Sequence, residues 1–254
     1  MENSSCIVMP AYRAARVLED TVSRIPNAFY EAGGVVLVVD DACPEGTGTV
    51  ADSLAAAHSG VRALHHARNL GYGGAQKTGL REGLRLGCAG FAVVHADGQY
   101  APELVLELLA PILSGETDLV QGSRMLGGGA REGGMPAVRY WANRFLTNLE
   151  NLAFGTRLAE FHSGYMLYSR RFLEAVPFES LQDNFNFDAE MILLGHLAGF
   201  PCREMPIPTH YGEESSSLDP VPYGVGVLRM VARHSIGHYQ NLLRSFPAAS
   251  ADTA

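Results

Sequence analysis

An α/β fold with a mostly parallel sheet flanked by helices is the class this sequence predicts. Three observations predict it. Residues 35–39, Val-Val-Leu-Val-Val, form an uninterrupted β-branched run of the kind carried by strands buried on both faces. Runs of this kind alternate with segments of helical periodicity from residue 6 to residue 121. The acidic and amide side chains gather where the apolar runs end, and open α/β sheets bind ligands just outside the carboxyl ends of their strands.

Residues 6–9 are a short apolar run closed by Pro10. Residues 13–25 place Ala14, Val17, Leu18, Val22 and Ile25 at helical spacing. The run at 35–39 ends on Asp40-Asp41, and a helix over 49–58 follows. Residues 61–65 alternate as a third strand. Residues 73–86 read as a helix, 91–94 as a buried strand ending near Asp97, 102–113 as a helix and 118–121 as a strand. The second half differs in texture. Glycines at 127–129 and 133–134 bracket a loop, and an amphipathic stretch over 136–154 holds the only tryptophan, Trp141. A strand at 165–168, a helix at 187–198, an extended edge segment at 203–208 and a final helix at 223–243 complete the pattern.

This order predicts a nucleotide-binding half over 1–125 and an acceptor-facing half of the same domain over 126–222. An amphipathic helix over 223–246 and a disordered tail of small residues over 247–254 follow. A chain of 254 residues, 47% of them hydrophobic, can bury one large core. A net charge of −8 argues against a nucleic-acid partner. Four scattered cysteines without C-x-x-C, and no secretory leader, predict a reduced, cytoplasmic protein. No run approaches the ~20 apolar residues of a spanning helix. The last helix sets Arg229, Arg233, His234 and His238 among apolar residues, a pattern for peripheral membrane contact, for a homodimer, or for plain packing.

His95-Ala96-Asp97-Gly98-Gln99 carries the most chemistry. Asp97 and Gln99, two residues apart at a strand's carboxyl edge, offer oxygen ligands to one hard cation such as Mg²⁺ or Mn²⁺. Asp40 and Asp41 suit a nucleobase N–H or ribose hydroxyls, or the capping of the next helix. The stretch from Asn69 through Gly71, Gly73 and Gly74 to Lys77 permits close backbone approach before a helix N-terminus. Gln76 spoils both the dinucleotide and the P-loop fingerprints there. Lys77 reads as a phosphate contact or, slightly better, as a solvated helix residue. Arg124 is a candidate phosphate partner. Asp188 and Glu190 open a helix as first-turn acids or as a general base, and His162 is a further candidate base. His210, Tyr211, Glu213 and Glu214 lead a polar loop suited to folding over a substrate.

The order of these motifs resembles the family 2 glycosyltransferases of GT-A fold, in their dolichol-phosphate mannose synthase-like branch. Pro10-Ala11-Tyr12 is similar to that family's P-x-Y. Val39-Asp40-Asp41 with Gly46-Thr47 is similar to its V-D-D-x-S-x-D-G-T. Asn69-Leu70-Gly71-Tyr72-Gly73-Gly74-Ala75 resembles its glycine loop, and Ala96-Asp97-Gly98-Gln99 its D-A-D-x-Q. Gly122-Ser123-Arg124, Ser163-Gly164-Tyr165 and Phe187-Asp188-Ala189-Glu190 follow in family order. His95 stands where the first Asp of D-A-D is usual, so the cation site loses one carboxylate. Arg13-Ala14 stand where Asn-Glu is usual. Glu213 and Glu214 stand in a late segment that is basic in relatives acting on lipid phosphate, and two acids there would repel a phosphate.

The resemblance implies an inverting transfer of a sugar from a GDP- or UDP-sugar. The donor would be held by Pro10, Ala11, Tyr12, Asp40, Asp41, Asn69, Gly71, Gly73, Gly74, Lys77, Ala96 and Asp97. Asp97 and Gln99 would hold the divalent cation on the diphosphate. Arg124 would assist, with Asp188, Glu190, His162 or Glu214 as base toward a hydroxyl. The acceptor is a hydroxyl-bearing small molecule or glycan, or a polyprenyl phosphate. The rival expectations are a nucleotide-sugar-binding pseudoenzyme that regulates a partner, motivated by His95, a phosphotransferase and a sugar nucleotidyltransferase.

Overall fold

The structure is a computed structural model describing residues 4–209 and 220–246. Its strands are β1 (Ser5–Ala11), β2 (Val35–Asp40), β3 (Val61–His65), β4 (Gly90–Val93), β5 (Leu119–Ser123), β6 (Met166–Ser169) and β7 (Arg203–Pro206). Its helices are α1 (Leu18–Ser23), α2 (Asn27–Glu31), α3 (Thr47–Ala57), α4 (Tyr72–Arg85), α5 (Val105–Leu113), α6 (Gly129–Glu132), α7 (Ala137–Phe154), α8 (Arg170–Ala175), α9 (Phe187–Leu197), α10 (Pro220–Ser235) and α11 (His238–Ser245).

The strands form one sheet in the order β3-β2-β1-β4-β6-β5-β7. Neighbours are parallel except where β6 inserts antiparallel between β4 and β5. Side chains of a strand alternate between faces. Accordingly Cys6 and Val8 of β1 join a core beneath α4, α8 and α9, while Ile7, Met9 and Ala11 join one beneath α1, α3 and α5. The chain winds outward from β1 to β2 and β3, then returns through α4 to β4 on the other side of β1. The loops after β1 and β4 therefore part, and the crevice between them is where such sheets take ligands.

Two helices differ from the expectation. The one expected over 13–25 begins only at Leu18, because the loop after β1 is tied to the loop after β2. Arg13 donates its N–H to Cys43 Sγ (3.2 Å), Ala14 donates to Thr47 Oγ1 (3.1 Å), and Arg13 takes a left-handed φ of 57°. The final helix is two helices, α10 and α11, separated at Gly237, whose φ of 78° suits glycine. The expected tail over 247–254 and the loop of His210, Tyr211, Glu213 and Glu214 lie outside the described residues.

Candidate active site

The crevice is built from strand ends. Ala11 pairs with Asp40 across β1 and β2, and Asp41 N–H donates to Ala11 O (3.1 Å). Pro10, Ala11 and Tyr12 thus form one wall, with the Tyr12 ring exposed and the Arg13 guanidinium 5.5 Å from its centroid. Asp40 is buried beside it. Its Oδ1 accepts from Cys43 N–H (3.2 Å), and His65 Nδ1 lies 3.4 Å from its Oδ2. His65 also meets Asp52 at 2.9 Å, and these two acids, Asp52 first, raise its pKa.

Asp41 organises the glycine loop. Its Oδ1 accepts from Leu70 N–H (2.7 Å) and meets His66 Nδ1 (2.7 Å), and its Oδ2 accepts from Gly71 N–H (2.9 Å). Asn69 donates to its carbonyl (3.2 Å). The close approach that Gly71 and Gly73 permit is to the chain's own residues 182–183, and that at Gly74 is to Leu70. A Cβ on Gly71 would stand 2.5 Å from Asp183 O, one on Gly73 2.6 Å from Gln182 O, and one on Gly74 2.8 Å from Leu70 Cβ. Lys77 is buried, not solvated as expected. It donates to Leu181 O and to Asp183 Oδ1 (2.7 Å), which closes the same junction. An open recess of about 530 Å³ lies over this loop, lined by Asn69, Leu70, Gly71, Tyr72 and residues 182–185.

The turn after β4 is held by its carbonyls. Thr21 Oγ1 donates to Ala96 O (3.2 Å) and Arg24 Nη1 to Gly98 O (3.2 Å). The Asp97 side chain is left 43% exposed. Among the described residues its Oδ1 accepts only Gln99 N–H (3.0 Å). This half-open carboxylate beside an amide fits a cation shared with a diphosphate. No group of three His, Cys, Asp or Glu side chains among the described residues would hold a metal alone. Behind the turn, His95 Nε2 lies 2.6 Å from the Tyr72 hydroxyl, which donates to Asp188 Oδ2 (2.9 Å). Burial lowers the His95 pKa, outweighing the Asp97 charge that raises it.

The four expected catalytic residues separate. Asp188 joins the crevice through Tyr72 and accepts from Gln76 Nε2 (2.7 Å). The residue that spoils both nucleotide fingerprints is therefore this acid's partner. Glu190 faces the other way, accepting from Gln182 N–H (2.8 Å), Gln182 Nε2 (2.9 Å) and the Tyr239 hydroxyl (2.5 Å). Arg124 binds Glu160 through its N–H (2.8 Å) and guanidinium and donates to His162 O (2.5 Å). Asn143 also donates to Glu160 (2.8 Å). The His162 ring meets the Tyr223 hydroxyl at Nδ1 (2.7 Å); its Nε2 lies 3.1 Å from Glu150 Oε2 but out of line for a hydrogen bond. Sequence reading missed Tyr72, Gln76, Glu160 and Tyr223. Only Tyr72, inside the glycine loop, carried a signal.

Asp188 gives a pH prediction. Burial pushes its carboxyl up to about 7, against the hydrogen bonds from Gln76 and Tyr72 that lower it. Its unfolded pKa is about 4, so between there and about 7 the native state binds more protons. The group therefore lowers stability as pH rises through that window. Asp188→Asn is expected to flatten the slope, gaining on the parent protein toward neutral pH in urea denaturation. Parallel curves would refute the assignment.

The model of the glycosyl transferase family 2 matches residues 6–176. The chain is a family 2 glycosyltransferase. It is 32% identical over 201 residues to the undecaprenyl-phosphate mannosyltransferase of Micrococcus luteus, covering 79% of this chain and 81% of the relative. It is 31% identical over 209 residues to the polyprenol monophosphomannose synthase of Mycolicibacterium smegmatis, covering 79% and 75%. Mannosyl-3-phosphoglycerate synthase from Rubrobacter xylanophilus superposes with a TM-score of 0.70 at 18% identity, over 94% of this chain and 75% of that one. Glucosyl-3-phosphoglycerate synthase from Mycobacterium tuberculosis, with Mn²⁺, UDP-glucose and phosphoglyceric acid, superposes with 0.61 at 19%, over 94% and 80%. The fold is thus the GT-A fold of these glycosyltransferases, and membership of the family gives the pseudoenzyme alternative no support.

Proposed function

We propose that this family 2 glycosyltransferase moves a sugar, with inversion, from a GDP- or UDP-sugar to a polyprenyl phosphate. One observation carries the choice of acceptor: of the expected bases, the three among the described residues are all closed off, Glu214 lying outside them. Asp188 is buried behind Tyr72 and Gln76, Glu190 behind Gln182 and Tyr239, and His162 against Tyr223. A hydroxyl acceptor benefits from a base, whereas a phosphate arrives already anionic. The names of the two relatives point the same way.

In this reading the wall of Pro10, Ala11 and Tyr12 and the buried Asp40 hold the nucleoside. Asp41 keeps the Asn69–Gly71 backbone in place, and Asp97 and Gln99 face the diphosphate. A divalent cation there supplies positive charge against the departing diphosphate. An acceptor phosphate oxygen attacks the anomeric carbon from the face opposite the leaving group. The bond to the β-phosphate oxygen breaks, and the nucleoside diphosphate leaves with its electron pair. The test pairs a short-chain polyprenyl phosphate with the matching polyprenol, each with labelled GDP- and UDP-sugars. Transfer to the phosphate, with one nucleoside diphosphate released per product, is expected. Transfer to the alcohol alone would overturn the reading.

Helix α7 supports a membrane-borne acceptor, because its amphipathy is inverted. Asn143, Thr147 and Glu150 face inward, while Val138 (82% exposed), Trp141 (69%), Phe145 (70%) and Leu152 (84%) form an outward stripe. An exposed apolar stripe and buried polar groups are the informative departures from ordinary burial. Helices α7, α10 and α11 carry Arg139, Arg144, Arg229, Arg233 and Arg244 against one acid, the buried Glu150, in a chain of net charge −8. Apolar side chains flanked by arginine suit an anionic bilayer surface. No helix among the described residues is long and apolar enough to cross a membrane. Trp141, the only tryptophan, reports directly. Its emission is expected to shift to the blue with vesicles containing phosphatidylglycerol, and Phe145→Ser with Arg139→Glu to abolish the shift. A shift that needs protein concentration and no lipid would assign this face to a second copy instead.

A further inference from the structure

We propose that His95 is itself a ligand of the divalent cation, through Nδ1, and that this site therefore favours Mn²⁺ over Mg²⁺. The inference rests on the cation site proposed above and deepens it. With Asp188 ionised, the state that mildly alkaline buffer secures, the Tyr72 hydroxyl donates its one proton to Asp188 Oδ2 at 2.9 Å. The same oxygen lies 2.6 Å from His95 Nε2, so Nε2 must be the donor in that contact. In a neutral imidazole the other nitrogen is then an unprotonated acceptor.

That nitrogen faces Asp97. His95 Nδ1 stands 4.0 Å from Asp97 Oδ2, too far for a hydrogen bond. Two lone-pair donors turned toward each other with no proton between them repel, unless a cation lies between them. Asp97 Oδ1 is occupied by Gln99 N–H, which leaves Oδ2 for that role.

The ring has little freedom to turn. Tyr100 packs edge-on at 4.9 Å. A Cβ on Gly164 would collide with His95 Nε2 and stand 2.7 Å from the Tyr72 hydroxyl, so only glycine leaves room for the His95–Tyr72 pair. An outer carboxylate that fixes the tautomer through a hydrogen-bonded partner is how metal-binding histidines are commonly oriented. The replacement of the family's first Asp is then an exchange of oxygen for nitrogen rather than the loss of a ligand. Imidazole suits transition metals, whereas Mg²⁺ prefers oxygen and keeps its waters.

The test reads the bound metal rather than turnover. Mn²⁺ is added to the full chain in mildly alkaline buffer, with UDP and separately with GDP, and bound Mn²⁺ is followed by electron paramagnetic resonance. Electron spin-echo modulation then reports any directly bound nitrogen. Nitrogen coupling is expected in the parent protein with whichever nucleoside diphosphate supports Mn²⁺ binding and is expected to vanish in His95→Asp, in which Mg²⁺ should also displace Mn²⁺ at lower concentration. Should that variant not fold, His95→Asn serves for the loss of coupling. Bound Mn²⁺ without nitrogen coupling would overturn the role of His95 and leave the cation site standing. No Mn²⁺ binding with either nucleoside diphosphate would overturn both.

Discussion

Asp97→Ala is expected to lower kcat/KM by about a thousandfold, ~4 kcal/mol, while leaving the fold intact. The side chain is half exposed and makes one hydrogen bond, to Gln99 N–H, on a turn pinned through its carbonyls by Thr21 and Arg24. Loss of one such bond costs about 1 kcal/mol. The functional loss is larger because, in the proposed reading, this carboxylate holds the cation on the diphosphate. Steady-state kinetics with a saturating acceptor, beside thermal melts, separates the two effects. The stabilisation that a nucleotide sugar gives the native state in Mn²⁺ should disappear as well. Activity within about threefold of the parent would mean that Asp97 holds no metal, since a cation contact is worth several kcal/mol.

The second large effect is on stability. Glu160 is fully buried, accepting from the Arg124 N–H and guanidinium and from Asn143. Arg124→Met removes the countercharge and leaves a buried carboxylate, at a cost of about 3–5 kcal/mol. Burial by itself would raise the Glu160 pKa, but the Arg124 charge and hydrogen bonds outweigh it and hold the carboxyl below its ordinary range. A depressed folded pKa gives stability that is present above the unfolded pKa and lost as pH falls through the folded one. The penalty of Arg124→Met should therefore be full at neutral pH and shrink in acid, where Glu160 takes up a proton. Urea denaturation at both pH values checks it. A loss below about 1 kcal/mol at neutral pH would mean the pair behaves as a surface contact.

This pair also shows what chain position left out about the expected phosphate arginine, its buried partner Glu160. Arg124 follows β5 at the same sheet edge as the other strand-end residues, so chain position favoured the crevice. Glu160, 36 residues later, gave no signal, because a lone acid before a loop looks like any other. Lys77 was misread for the same reason: its partner Asp183 is 106 residues away. Glu190 was grouped with Asp188, yet on a helix two residues apart point to different sides. One meets Tyr72 and the other Tyr239.

The alternation of strands and helices, the parallel sheet and the gathering of Asp40, Asp97 and the glycine loop at its carboxyl edge are legible in the order of residues. These follow from local periodicity and from where apolar runs stop. The order of the motifs was enough to place the chain in its family. Tertiary structure alone decided the antiparallel insertion of β6, the break at Gly237, and which charges face the crevice and which face each other. It also turned α7 inside out, setting Asn143 and Glu150 inward and Trp141 and Phe145 outward. Periodicity finds the two faces of a helix but not which of them the rest of the chain will cover. That choice depends on partners such as Glu160 and His162, which only the fold brings near.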